Sequence, residues 1–292
     1  MPDLLNRAVE LIKSEGFTGA HSFIFLTRYA YLSGDKALME LTGNTMSSLD
    51  DVPASAALAY ALCEYYEATG AEFCVPAAEY VISSALSSGE SRMLMCALAK
   101  AGRVFNNERY LVLARELAED DDNEKNAFYA LGLLELYRAT YFDAYLSGAD
   151  EIASAVLERF HSRFDPADAY DLALPSANSA SAVLFDELYR LTQKPKWKKA
   201  RENQNRFVSM LSDKYPTAAT FGLNALLSDE FEWKTVICRF PEGCPPEELG
   251  ALLSFYSPLT EFIISSSDSC SAAEYYELKD GVLRELRSGD GI

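Results

Sequence analysis

Between Asp171 and Ser179 the chain reads D-L-A-L-P-S-A-N-S, a carboxylate, two hydroxyls and an amide grouped around a proline that can open a helix. These residue types suit two kinds of work. Asp171 can take a proton from a ligand hydroxyl as a base, with Ser176, Asn178 and Ser179 orienting that ligand through hydrogen bonds. The same residues can serve the fold, with Ser176 as an N-cap and Asp171 folded back onto free amides, each contributing about 1 kcal/mol. His21, beside Ser22, adds an imidazole that titrates near neutrality, and Tyr60 and Tyr129 add rings on which a sugar can stack. These seven residues are the candidates for a ligand-facing surface, with Asp171 as the catalytic one. His161, next to Arg163, reads as a cation at a helix C-terminus. The run Glu119-Asp120-Asp121-Asp122 reads as a solvated loop that caps the next helix, because a Ca²⁺ cage needs spaced ligands and ordered carbonyls. Six cysteines occur singly, without C-x-x-C or His pairing, so they read as buried packing residues. No metal or cofactor site is expected.

The elements that must position these residues are helices. Apolar positions recur at helical spacing from Leu4 onward, and short turns such as Ser33-Gly34-Asp35 separate one helix from the next. Each turn is followed by a helix that opens on a bulky residue. These anchors, Leu38, Phe73, Tyr110, Tyr145 and Trp197, are separated by 35, 37, 35 and 52 positions. Spacing in the thirties marks stacked helical hairpins, since one hairpin cannot bury its own apolar face. The pattern predicts twelve helices, at 3–14, 21–33, 35–48, 54–69, 71–87, 90–104, 107–119, 124–140, 143–162, 176–192, 195–212 and 216–228. Six hairpins close naturally into an (α/α)6 toroid over residues 1–230, the fold expected here. The alternative is an open helical-repeat solenoid that binds a protein partner; the 52-residue interval and the lack of a Trp-Leu-Gly signature speak against it. In a toroid, Asp171 to Ser179 and His21 fall at N-terminal ends of inner helices, where unpaired N–H groups and the helix dipole suit a polar ligand.

Residues 231–292 change texture and read as a small C-terminal α/β segment packed on the toroid. Lys234 to Phe240 and Glu261 to Ile264 read as parallel strands joined by a short helix from Leu249 to Phe255, and Asp280-Gly281 as a hairpin turn. Across the chain, 26 Lys and Arg face 44 Asp and Glu, a net charge of -18 that repels phosphate backbones and anionic lipid. Nucleic acid and membrane are therefore not expected partners. The first residues carry no signal-peptide core, and a cytoplasmic location is expected. The basic cluster Lys194, Lys196, Lys198, Lys199 and Arg201 reads as a solvated face or a surface for an acidic protein partner.

The segment D-L-A-L-P-S-A-N-S-A-S-A-V-L-F-D-E-L-Y-R-L-T resembles the late part of the YyaL-like, spermatogenesis-associated thioredoxin-domain family, which carries D-x-A-x-P-S-x-N-S followed by an apolar helix and a Leu-Thr-Gly turn. G-F-T-G-A-H-S-F-I-F-L-T-R-Y-A-Y-L-S-G-D-K-A-L and K-T-V-I-C-R-F-P are similar to other parts of that family. The resemblance implies a toroid like those of N-acylglucosamine 2-epimerases and six-hairpin glycosidases, with a sugar-like ligand in a central funnel. Against that family, the chain is expected to start directly in the toroid portion, without the thioredoxin-like domain. It also has alanines at Ala54, Ala56, Ala57, Ala59 and Ala61 where the family has a polar P-H-F-E-K-M-L-Y-D. Two readings follow. One is a catalytically degenerate toroid that binds a sugar-like or other small polar ligand or acts as a scaffold. The other is an active epimerase-, isomerase- or glycosidase-like enzyme that uses Asp171.

Overall fold

A computed structural model describes residues 2–16, 19–48, 55–88, 93–120, 124–162, 169–172, 174–241, 256–267 and 273–286. The described chain is mainly helical and ends in a small sheet. The helices are α1 (Pro2–Glu15), α2 (Ala20–Ser33), α3 (Lys36–Ser47), α4 (Ala56–Thr69), α5 (Cys74–Ser88), α6 (Leu94–Val104), α7 (Glu108–Glu119), α8 (Ala127–Thr140), α9 (Asp143–Ser162), α10 (Ala177–Thr192), α11 (Pro195–Lys214) and α12 (Leu223–Glu230). Their limits follow from local chemistry. Gly34 closes α2 in the left-handed region at φ 71°, and next to it Asp35 caps α3 by accepting from the Leu38 amide at 3.0 Å. Ser55, Asn107, Asn126 and Ser176 cap α4, α7, α8 and α10 in the same way, so these helices begin where a side-chain acceptor is present rather than one to three residues earlier.

The helices form two classes. Even-numbered ones are buried almost all round: α10 buries every residue from Asn178 to Leu191. Odd-numbered ones bury a stripe, such as Leu38, Thr42, Gly43 and Met46 on α3. The even-numbered helices pack in the series α2, α4, α6, α8, α10, α12, and α12 packs back against α2. Each odd-numbered helix from α3 to α11 packs on the even one before it, while α1 packs on α11 and on a 3-10 turn at Pro216–Ala219. The repeat anchors Leu38, Tyr110 and Trp197 are buried, and the Trp197 ring stacks on Phe185 with centroids 5.6 Å apart.

Two local expectations are corrected. The single helix at 216–228 is a 3-10 turn followed by α12, because the Phe221 amide donates to the Asp171 carboxylate at 2.8 Å and not to the carbonyl one helical turn back. The helix expected from 90 begins at Leu94, after Met93 in the left-handed region at φ 58°. The crossover helix at 249–255 lies outside the described residues.

The sheet comprises β1 (Lys234–Pro241), β2 (Thr260–Ser267), β3 (Glu274–Lys279) and β4 (Val282–Glu285), in the order β2-β1-β3-β4. β1 and β2 are parallel, with Lys234 opposite Thr260, and β3 and β4 form a hairpin around Asp280-Gly281, both at positive φ. Its own core is small, with Val236, Cys238 and Phe240 at the centre. It is held to the C-terminal end of α10 by polar bonds. Thr235 Oγ1 donates to the Arg190 carbonyl at 2.6 Å, and Gln193 donates to the Leu278 carbonyl while accepting from the Gly281 amide.

Even-numbered helices approach their neighbours through small residues. A Cβ at Gly102 of α6 would lie 2.5 Å from Leu111 Cδ2 and 3.0 Å from the Leu111 amide nitrogen on α7. Gly102→Ala is therefore expected to destabilise the fold by about 1–3 kcal/mol. Urea unfolding of the variant against the parent chain measures this, and an unchanged midpoint would refute so tight a contact.

Candidate functional site

The residues that first suggest chemistry fall in three places. Asp171 is buried, with Oδ1 accepting from the Ser176 amide and Oδ2 from the Phe221 amide, both at 2.8 Å, while its own amide donates to the Ala218 carbonyl at 2.7 Å. Both oxygens thus tie the start of α10 to the break before α12. Ser176 Oγ accepts from the Ser179 amide at 3.1 Å, and the Asn178 carbonyl accepts from Gln204. His21, at the start of α2, lies in the same neighbourhood, packed against Gly19 and near enough to Asp171 to feel its charge. Burial outweighs that attraction and holds the imidazole below its ordinary pKa, and neither ring nitrogen has a protein partner. Tyr129 lies elsewhere: its hydroxyl donates to the Ala118 carbonyl of α7 at 2.6 Å. Tyr60 belongs to a third group. The His161 side chain, Asp121, Asp122 and Ala54 lie outside the described residues.

That third group is an ion-pair network towards the C-terminal ends of α2, α4, α6, α8 and α10, where each contributes a charged side chain facing the same space. Arg28, Glu64, Lys100, Glu135 and Glu187 follow one another at intervals of 36, 36, 35 and 52, the repeat interval itself. One turn later come Glu67, Arg103, Arg138 and Arg190, and E-L-Y-R occurs at both 135–138 and 187–190. Charges placed in helices otherwise apolar all round were the available sequence signal, obscured by the more conspicuous polar motif at 171–179.

Glu64 pairs with Arg28 at 2.8 Å and with Lys100 at 2.7 Å, and Lys100 and Arg103 share Glu67. Arg138 bonds Glu135 at 3.0 Å, Glu187 at 3.1 Å and Glu261 of β2 at 2.8 Å. Arg190 joins Glu261 to Asp186, and Asp186 continues to Arg201. Tyr60 links the two halves, accepting from Arg28 at 3.2 Å and donating to Glu135 at 2.9 Å. Tyr256, just before β2, donates to Glu64. Burial alone would push the Glu64 carboxyl up, but Arg28 and Lys100 outweigh it and hold that group far below the usual carboxylate range. Glu187 behaves oppositely: burial and the neighbouring Glu261 raise it despite Arg138.

Within this network is a cavity of about 80 Å³, lined by the charged groups from Arg28 to Glu187 and by Tyr141, Tyr256, Thr260, Glu261 and Phe262. Two buried polar atoms on its lining residues, Arg103 Nε and Glu135 Oε2, have no protein partner. A second cavity of only about 10 Å³ adjoins Arg28, Tyr60, Glu135 and Glu187 and is otherwise walled by Met93, Cys96, Leu131, Val183 and Phe221. Neither cavity is lined by Asp171, Ser176, Asn178, Ser179 or His21. The larger one can hydrogen-bond and ion-pair a ligand. Cys96 beside the smaller one is no ready nucleophile, since burial drives its thiol well up. Among the described residues no cluster of three or more His, Cys, Asp or Glu is arranged to hold a metal ion, and no helix is long and apolar enough to cross a membrane.

Comparison with protein-family models gives no match, and comparison with curated proteins gives none. Among solved structures the chain is similar to the crystal structure of the Lin0763 protein from Listeria innocua, at 16% identity and a TM-score of 0.48, over 64% of this chain and 72% of that one.

Two measurements test the electrostatics. Glu64→Leu leaves Arg28 and Lys100 without their shared carboxylate and is expected to cost about 3–5 kcal/mol in urea unfolding. For His21, the folded ring resists a proton that the unfolded ring accepts, so its contribution to stability is present above the ordinary His range and is lost as pH falls. The parent chain should therefore lose stability below about pH 6.5 with a slope of up to about 1.4 kcal/mol per pH unit from this residue. In His21→Gln that component disappears, and identical pH profiles for the two proteins would contradict the assignment.

Proposed function

We propose that this chain is a closed six-hairpin toroid that binds a small polar ligand in the cavity at the C-terminal ends of α4, α6, α8 and α10, beneath β2. The return contact of α12 with α2, and that of α1 with the turn at 216–219, support closure over an open solenoid. The resemblance at 171–179 is the ground for reading it as a relative of the YyaL-like toroids. Binding without turnover is preferred because both oxygens of Asp171 are occupied by backbone amides. The observation that carries the binding reading is the polar cavity itself, with an unpartnered acceptor on Glu135 and an unpartnered donor on Arg103 among its lining residues. Its volume of about 80 Å³ suits a ligand of roughly six non-hydrogen atoms, half a hexose.

A thermal-shift screen of short polyols, hydroxy acids and amino acids tests this. A ligand present at a hundredfold excess over its Kd should raise Tm by about 4 °C for a chain of this size. The rise should vanish in Glu135→Gln. A shift that survives this change places binding elsewhere, and no shift with any compound favours a purely structural network.

A further inference from the structure

The network around the larger cavity is electrically polarised. Arg28, Lys100 and Arg103 exceed Glu64 and Glu67 by one charge. In the other set, Glu135, Glu187 and Glu261 exceed Arg138 by two, or by one once Arg190, bonded to Glu261 at 2.6 Å, is counted. Among the described bonds the Tyr60 hydroxyl joins the sets, touching Arg28 on one side and Glu135 on the other. Each set also keeps one buried atom without a protein partner. In the cationic set it is the donor Arg103 Nε, and in the anionic set it is the acceptor Glu135 Oε2, on a side chain only 5% exposed. Lys100 and Arg103 both act on the Glu135 carboxylate, so the sets lie within a short electrostatic reach of each other.

A free anion would satisfy Arg103 but meet the surplus carboxylates. A free cation would satisfy Glu135 but meet the surplus of Arg and Lys. A ligand with both charges, held a few bonds apart, suits both sets at once. We propose that this cavity binds a small zwitterion of the amino-acid type, with its ammonium on Glu135 and Glu187 and its carboxylate on Arg103 and Lys100. The proposal rests on the small-ligand reading above and narrows it to a ligand class. The cavity admits about six water-sized atoms, the size of glycine or alanine.

Isothermal titration of the full chain with glycine and alanine, against glycolate, ethanolamine and glycerol, separates the possibilities. At least one of the two amino acids should bind about tenfold more tightly than any of the other three, a difference of about 1.4 kcal/mol. Glu135→Gln should abolish binding of the amino acids, and with it that advantage. Should that variant fail to fold, Arg103→Lys keeps the charge but removes Nε, and it should weaken glycine and glycolate together while sparing ethanolamine. If glycerol or a singly charged analogue binds as well as the amino acids, the zwitterion proposal falls and the small-ligand reading stands. If none of the five binds, both fall.

Discussion

Arg138 is a partly buried guanidinium held among three carboxylates, and the rest of the structure is arranged around the need to keep it so. Taking such a charge out of water costs several kcal/mol, and the cost is offset only if every donor meets an acceptor in good geometry. Glu135 lies on the same helix, Glu187 on the neighbouring helix and Glu261 on the sheet, so one side chain fixes the spacing of α8 and α10 and the position of β2 above them. The apolar core of the sheet is too small to define that position alone. Apolar burial supplies the general attraction between layers, and the ion pairs specify which arrangement of those layers is compatible with no buried charge left unpaired.

The same requirement explains the composition of the even-numbered helices. Side chains as long as Arg, Lys and Glu can meet at a common centre only if the helices carrying them are close at other levels. The alanines of α4 and α6 and Gly132 of α8, where a Cβ would lie 2.4 Å from Met95 Cε, allow that approach. The alanine-rich start of α4 first reads as a loss of function. In the structure Ala56, Ala57, Ala59 and Ala61 are fully buried packing residues, and the polar group that matters on this helix is Glu64, two turns further on.

Helices, caps and the β1–β2 pairing were legible from periodicity and turn chemistry, because these are local properties repeated many times along the chain. The site was legible only in part. D-L-A-L-P-S-A-N-S stood out because its polar residues are adjacent in sequence, and adjacency of that kind serves a helix start well: Asp171 reaches Ser176 five residues on. The charged cavity is dispersed over five helices and a strand, one or two residues from each. Its members become a group only when the repeat register is laid over the charges, as the E-L-Y-R pair shows. Tyr60 was singled out for aromatic stacking, yet its hydroxyl is what the network uses. The break at Phe221 could not be foreseen, since the carboxylate that causes it lies 50 positions earlier.

The pairing of Arg138 with Glu261 spans 123 positions of the chain. Contacts between successive hairpins are short in sequence and form early, whereas this closure waits for the last quarter of the polypeptide. Until β2 is made, the Glu261 carboxylate is missing from the partners of both Arg138 and Arg190. The sheet is, in temporal terms, the source of the last-made of the three carboxylates around Arg138.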